Sequence, residues 1–570
     1  MTFGMALFML LVHQDWADKK ETGMRTWPRI NEVLGSRNRG APAESGLCVQ
    51  CRIDCRGKCE TFLSCLKGKA AVYPADHGKV IFASDNTNPI GVSYNALRIQ
   101  GAQFGSTGLR EGLTREAKHC LPPNVDFAAQ FGSESKTALK VPIKAGAYGT
   151  APFVGKYWDS YAVGAALVGF ALVIGENVMN MDKGMVIEKG RVAKAPEIDR
   201  RIESFMKYYD GRGALAVQVN YDDMYNGPTV DYICEKYGDK VILEIKWGQG
   251  AKPINGEAFT KDLEHALFLS RRYPVFPDPR DEEVQKAYAE GKVRSFTRQS
   301  VVPFTEANSC EQVRAEFVEA VKNIRHKGCR RIALKTGGFN MPGLALAIKL
   351  ATEAKLDLLT IDGSGGGTAL SPWNMMEHWG TPSILAHAKA WEYANALAAQ
   401  GEKVVDLSFA GGFAREDHLF KALALGAPFA KVVSLGRAMM IPGFVGANIE
   451  GVLKPEKKDS VFGNWQELPA AVREIGKSPE ELFAAYYDVR NKVGASEMDS
   501  IPYGAIAIWT YVDKLMKGLQ QLMAGARKYS LQALTREDVA ALNRETANET
   551  GIAYITEAQN ALAMKILSSK

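Results

Sequence analysis

Eight short apolar runs recur between residues 141 and 435: Val141–Gly146, Phe170–Gly175, Ala214–Asn220, Val241–Lys246, Arg331–Thr336, Leu356–Ile361, Val404–Ser408 and Ala430–Leu435. Between them lie longer stretches with the apolar spacing of helices, among them Pro196–Tyr209, Glu311–Lys327, Pro342–Ala354, Pro382–Gln400 and Glu416–Leu425. Parallel strands cannot be joined by a tight hairpin and take a helical crossover instead, so this alternation predicts a parallel sheet. Eight such units over roughly 300 residues predict an α/β fold of the (β/α)8 barrel type. The 570-residue chain has room for two flanking parts. We read 1–95 as a cysteine-rich N-terminal segment, 96–455 as the barrel, and 456–570 as a helical C-terminal extension with amphipathic runs at Glu480–Val493 and Tyr511–Ala526.

Alternation inside the strands points to a working face. In Val241-Ile242-Leu243-Glu244-Ile245-Lys246 one face is apolar and suits packing on helices, while Glu244 and Lys246 turn to the barrel interior. The same phase turns Gln218 and Asn220 inward, puts Lys335 at the end of the fifth strand, and sets Asp406 and Ser408 near the end of the seventh. Each lysine taken singly could be a salt-bridged structural residue. Several polar groups converging on strand carboxyl ends favour an active site, because barrel enzymes build their sites there. The long insertion Trp247–Ser309 after the fourth strand reads as a lid over the mouth.

The sixth strand runs into Gly363-Ser364-Gly365-Gly366-Gly367-Thr368 and then Ser371-Pro372, a pair suited to opening a helix. Glycines let backbone N–H groups approach an anion, so this loop is either a phosphate cradle or a flexible turn. Five of the nine cysteines, Cys48, Cys51, Cys55, Cys59 and Cys65, fall close together. Such density suits a 4Fe-4S cluster or structural zinc, with no metal as the remaining alternative. Cys120, Cys234, Cys310 and Cys329 are scattered and read as small hydrophobes. A net charge of +6 from 70 basic and 64 acidic residues, without a basic cluster interleaved with aromatics, argues against nucleic-acid binding. Met5–Val12 is apolar but too short to span a bilayer, and it lacks a basic leader, so a docking helix or an over-extended start, rather than a signal peptide, is expected in a cytoplasmic protein.

Three motifs carry a family resemblance. Glu244-Ile245-Lys246 followed by Gly248-Gln249-Gly250-Ala251-Lys252-Pro253, the Asp362–Pro372 loop, and Ala410-Gly411-Gly412-Phe413 with Ala422–Ala427 resemble, in order, signatures of the FMN-binding synthase barrel of glutamate synthase. The resemblance implies FMN, with its phosphate on Ser364, Gly365, Gly366, Gly367, Thr368, Gly411, Gly412, Gly436 and Arg437. It implies a flavin ring near Ala145, Gly146, Ala147, Gln218 and Lys335, and Lys246, Gln249 and Lys252 on the substrate side. Lys246, Lys335 and Gln249 are then the catalytic candidates. The implied reaction is reductive amination of 2-oxoglutarate through 2-iminoglutarate, with a redox partner such as ferredoxin.

Departures from the family are equally informative. Thr2 follows the initiator and no cysteine precedes Cys48, so ammonia or an amine is expected from a separate glutaminase or another source. The family's cluster loop after the last strand is replaced by Met439-Met440-Ile441-Pro442-Gly443-Phe444, which moves any cluster to Cys48–Cys65. Glu176-Asn177-Val178-Met179 replaces a glycine-rich segment, and Trp247 adds bulk beside the expected substrate pocket. These changes leave open a flavin enzyme acting on a different small acid, or an electron-transfer subunit. No convincing Gly-x-Gly-x-x-Gly follows a strand, which disfavours direct NAD(P)H binding, and a homo-oligomer is expected.

Overall fold

The computed structural model describes residues 47–48, 51–57, 59–69, 91–250, 258–299, 301–364, 366, 379–457 and 460–569. Eight parallel strands close into a barrel: β1 (Ile143–Tyr148), β2 (Ala171–Ile174), β3 (Ala214–Asn220), β4 (Ile242–Lys246), β5 (Ile332–Gly337), β6 (Leu358–Asp362), β7 (Leu407–Ala410) and β8 (Ala430–Leu435). They neighbour one another in chain order, and the ring closes where β8 pairs with β1. The (β/α)8 expectation is met, with every predicted run overlapping a strand.

Around the strands stand α1 (Glu60–Lys67), α2 (Trp158–Val168), α3 (Pro196–Met206), α4 (Pro228–Tyr237), α5 (Cys310–His326), α6 (Met341–Glu353), α7 (Ser383–Ala399), α8 (Glu416–Leu425), α9 (Arg437–Leu453) and α10 (Tyr503–Gly525). Local chemistry sets several of the starts. The Ser309 hydroxyl accepts from the Gln312 N–H and the Asn340 side chain from the Gly343 N–H, each satisfying a backbone donor that the first helical turn leaves open.

The lower barrel is dry. Ala171, Val173, Ala214, Ala216, Ile242, Ala333, Leu358 and Val432 meet inside it, and Phe131 and Leu139 of the hairpin Ala129–Phe131/Thr137–Leu139 plug its floor. In β1 the register shifts between Lys144 and Ala147, a bulge that turns both residues inward although they are three apart.

Three expectations need correction. Asp406 precedes β7 and lies at the floor, where its carboxylate accepts the Gly132 N–H at 2.9 Å. Val404-Val405 imitate a strand start, but the paired run is Leu407–Ala410. The stretch Glu480–Val493 is two short helices, Pro479–Leu482 and Tyr486–Val493, broken where Phe483 is extended and fully buried and the Ala484 N–H bonds Leu66 O. Helix α10 begins well before Tyr511, because Ala505, Ile506, Ala507 and Ile508 are buried on every side and so show no amphipathic stripe.

The C-terminal part is integral to the structure. Helix α10 packs on α2, α9, α8 and α1, and Val539–Ala541 pairs antiparallel with Leu97–Ile99 from ahead of the barrel. Among the described residues no helix is long and apolar enough to cross a membrane. Met5–Val12, Lys252, Gly365, Gly367, Thr368 and the Ser371-Pro372 helix start lie outside the described residues.

Candidate active site at the barrel mouth

Above the dry floor the interior becomes charged. Lys144 of β1 meets Glu244 of β4 at 2.6 Å, with both side chains at most 5% exposed. The Lys144 ammonium also donates to Thr360 Oγ1 at 3.1 Å, and Gln218 Nε2 donates to Glu244 Oε1 at 2.8 Å. Nearer the mouth, Lys335 lies 3.3 Å from Asp362 Oδ2. Lys246 donates to Glu176 Oε1 at 2.5 Å and to Gln249 Oε1 at 3.0 Å. Ser408 and Ser434 share a hydrogen bond at 2.9 Å. Buried ion pairs are poor stabilisers compared with apolar side chains of the same volume, so three in one barrel mark a working surface.

The two inner lysines are tuned in opposite directions. Burial pulls Lys144 below the usual ammonium range, more strongly than Glu244 restores it. Burial acts the same way on Lys335, but the Asp362 and Glu244 carboxylates outweigh it and raise its pKa. Lys335 is therefore held as a fixed cation at the mouth.

Glycine turns converge beside these charges. The Gly363 N–H donates to Ala410 O at 2.8 Å, and a Cβ on Gly411 would stand 3.0 Å from Gly363 N and 2.3 Å from Ser383 Oγ. Gly411 and Gly412 hold φ of +125° and +94°, conformations that side chains disfavour. A Cβ on Gly250 would stand 1.9 Å from Gly363 O, so the loop after β4 lies against the loop after β6. Ser364 and Gly366 therefore share one rim with Gly411 and Gly412. Gly146 faces Gly436 across the ends of β1 and β8, at 3.1 Å from a Cβ position to the Gly436 Cα.

Helix α7 braces this rim. His387 is fully buried, and its Nε2 lies 3.2 Å from Ile361 O and 3.1 Å from Ala410 O. Two carbonyls require a donor, so Nε2 carries the proton and Nδ1 accepts from the Tyr94 hydroxyl at 2.7 Å. The ring stacks on Phe409 at 4.2 Å, and the Ser383 hydroxyl donates to Gly411 O at 2.7 Å. Burial lowers the His387 pKa to about 4.

Comparison with known proteins shows what this region is similar to. Residues 293–445 match the family model described as the conserved region in glutamate synthase. This part of the barrel is similar to the central domain of the glutamate synthase family. Over 202 residues the chain is 27% identical to the archaeal-type glutamate synthase (NADPH) of Dehalococcoides mccartyi, covering 35% of each chain. It also matches a 2,3-bisphosphoglycerate-independent phosphoglycerate mutase of Campylobacter jejuni, 24% identical over 184 residues, 30% of this chain and 36% of that one. These alignments thus span about a third of the curated relatives' own lengths (35% and 36%). Among solved structures, the flavin-binding domain of baker's yeast flavocytochrome b2 is similar at a TM-score of 0.42 and 12% identity, covering 84% of this chain and 82% of that one.

The remaining expected site residues fall as follows. Ala147 faces inward, while the Ala145 side chain is buried in the outer, helix-facing core. Arg437 Nη1 donates to Cys48 O at 2.8 Å and lies 3.8 Å from Cys51 Sγ, so that nitrogen serves the cysteine segment. Trp247 does not line a pocket at the mouth. It faces outward against Phe304 and Phe317, because it stands one residue out of phase with the inward Lys246.

The insertion after β4 is a small folded unit. Its three strands order as Ala258–Thr260, Phe296–Arg298 and Val275–Phe276, around Ala266, Leu269, Tyr273 and Phe296. It docks on the loops after β2 and β3: Arg298 Nη1 donates to Asn177 Oδ1 at 2.9 Å, and the Tyr273 hydroxyl to Asp223 Oδ1 at 2.6 Å.

Cys48, Cys51, Cys55 and Cys59 are half-buried near α9, and Cys65 is fully buried in α1 with its thiol 2.9 Å from Phe62 O. Among the described residues no three thiol, carboxylate or imidazole groups are gathered to hold a single metal ion. Sequence reasoning missed Lys144, whose inward phase depends on the bulge, and His387, which looks like one more helical residue until α7 meets the ends of β6 and β7.

Proposed function

We propose that the chain is an FMN-dependent oxidoreductase that reduces the imine of a small 2-oxo acid, with 2-oxoglutarate and ammonia as the first pair to test. The observation that carries the reading is the meeting of the turns that hold Gly363, Ser364 and Gly366 and Gly411–Gly412 beside the buried Lys335. The matched glutamate synthase region and the Dehalococcoides relative support the same reading. The donor set suits FMN: backbone N–H groups at the glycine rim and the open approach to Gly436 fit a phosphate, and Lys335 fits the pyrimidine edge of the ring. Gln218 Oε1 and Asn220 Oδ1 are buried without a hydrogen-bond partner among the described residues, and a ligand N–H would satisfy such acceptors.

FMN, when bound, supplies hydride chemistry. The chain's own residues do the rest. Lys335 holds positive charge where electron density accumulates, a form of electrostatic stabilisation that needs no reorganisation at the moment of reaction. Lys246, oriented by Glu176 and Gln249, presents an ammonium to a substrate carboxylate. The paired lysines neutralise the mouth, so an arriving dianion competes with Glu176 for Lys246. The docked insertion limits water on the β2–β3 side. Electrons enter from a one-electron carrier such as a ferredoxin, and ammonia comes from a separate source in the cytoplasm.

The test is anaerobic. Protein purified gently is scanned for flavin absorbance, reduced with dithionite, and mixed with 2-oxoglutarate and ammonium. Reoxidation that requires both compounds supports the reading. Reoxidation by another 2-oxo acid alone moves the substrate, and protein that neither retains nor binds added FMN overturns it.

A further inference from the structure

We infer that Cys234 and Cys329 form an oxidisable thiol pair, a modification site that hydrogen peroxide converts to a disulfide, with Cys234 as the attacking sulfur and Cys329 as the resolving one. The sequence presents both as isolated small hydrophobes, and the fold brings them together. Cys234 lies in the last turn of α4, and Cys329 stands between the end of α5 and the start of β5. Both segments run along the floor side of the barrel, where α4 leads into β4 and α5 into β5. The site needs neither a flavin nor the proposed reaction.

Two glycines make the approach possible. Gly328 holds φ +108°, and a Cβ on it would stand 3.2 Å from Cys234 O. A Cβ on Gly238 would stand 2.5 Å from both Cys234 O and Gly328 O, so the two backbones pack with no side chain between them. The segments that follow are fixed in the same way. Arg331 Nη2 donates to Asp239 O at 3.1 Å, and the Leu243 N–H donates to Arg331 O at 3.0 Å. In this setting the Cys329 thiol hydrogen-bonds to the Cys234 sulfur, which also accepts from the Cys329 backbone N–H. Cys329 is wholly buried and Cys234 is 3% exposed, so Cys234 is the one that a water-sized oxidant meets first.

The pair is chemically unequal. The hydrogen bond from the Cys329 thiol holds the Cys234 pKa below the ordinary thiol range against the effect of burial, helped by the Cys329 N–H and the Lys327 ammonium, with Asp231 opposing. The same bond, together with burial, raises the pKa of Cys329. Lys327 sits 2.6 Å from Asp231, and both are partly exposed, so the thiols lie just beneath the surface. A thiolate is the nucleophile toward peroxide. The Cys234 sulfur attacks one peroxide oxygen, an S–O bond forms, the O–O bond breaks, and the leaving hydroxide takes up a proton. Cys329 then attacks the Cys234 sulfur of the resulting sulfenic acid, the S–O bond breaks, and a second water leaves. Two thiols lose two electrons and two protons, and one peroxide becomes two waters. The link ties α4 to the start of β5, at the opposite end of that strand from Lys335, so it acts on stability rather than on the mouth.

The test uses the full chain, reduced, freed of reductant, and exposed to a small excess of hydrogen peroxide under native conditions. Remaining thiols are alkylated in denaturant, and the protein is digested without reduction for mass spectrometry. The expected product is a peptide pair joined through Cys234 and Cys329, two hydrogens lighter than its parts and released by a thiol reductant. Cys329→Ala is expected to stop at the sulfenic and sulfinic acids of Cys234, and Cys234→Ala to leave Cys329 unmodified. The exposed Cys310 is the internal comparison. Oxidation of Cys310 with Cys234 and Cys329 both recovered as free thiols would overturn the assignment. So would a link that forms only in denaturant, and oxidation of Cys329 in Cys234→Ala would overturn the assigned roles. Oxidised wild-type protein should also melt higher than reduced protein, because the link restricts the unfolded chain, and Cys329→Ala should show no such rise. A fully linked protein with an unchanged melting point would overturn the effect on stability.

Discussion

His387 ties the proposed phosphate rim to acid stability. The ring is fully buried with its Nε2–H shared between Ile361 O and Ala410 O, and its folded pKa is lowered to about 4 by burial. In the unfolded chain histidine titrates near 6.5. Between these values the unfolded state binds the extra proton, so stability falls as pH drops from about 6.5 toward 4 and is fully present above that window. A separation of about 2.5 units corresponds to roughly 3 kcal/mol lost between pH 7 and pH 4. With about 2.1 cal/mol/K per residue over roughly 360 barrel residues, that is a melting shift of about 4 °C. The control is His387→Phe, which keeps an aromatic ring against Phe409 but cannot titrate. At pH 7 it leaves two carbonyls and the Tyr94 hydroxyl without their partner, at a cost of about 3–5 kcal/mol. Denaturation of both proteins at a series of pH values is the assay. The wild-type advantage should shrink by about 3 kcal/mol on going to pH 4. An advantage that stays constant between pH 7 and pH 4 would show that His387 is not held neutral by its burial, and the reasoning would fail.

Gly411→Ala is expected to weaken FMN binding at least tenfold in a fluorescence titration, because its Cβ would stand 2.3 Å from Ser383 Oγ in a backbone with φ +125°. Such strain costs on the order of 1–3 kcal/mol. Lys335→Met should lower turnover by about 10²–10³-fold and make the bound flavin harder to reduce, with Lys335→Arg partly restoring the potential. Spectroelectrochemistry reads the second effect independently of substrate. Lys514→Met leaves Glu60 and Glu416 facing each other across a buried gap. The expected cost is about 2–3 kcal/mol, below that of a wholly buried pair because Glu60 is half exposed. Faster proteolysis near residue 60 would report it.

What the sequence determined on its own was periodic. Apolar runs every 25 to 90 residues, with helical stretches between, leave a parallel barrel as the economical arrangement, since each strand must reach its neighbour through a crossover. Strict alternation in β4 sent Glu244 and Lys246 inward, and the glycines after β6 and β7 marked turns where side chains would collide. Only the tertiary structure decided the rest, because those features depend on contacts between residues far apart in the chain. A one-residue bulge in β1 turned Lys144 and Ala147 to the same side, and the true start of β7 left Asp406 on the floor. The packing of α7 put His387 between two strand ends, and the fold of the N-terminal segment brought Cys51 to Arg437, 386 residues later. Periodicity is a property of neighbours along the chain, whereas ion pairs and hydrogen bonds such as these exist only after the barrel has closed.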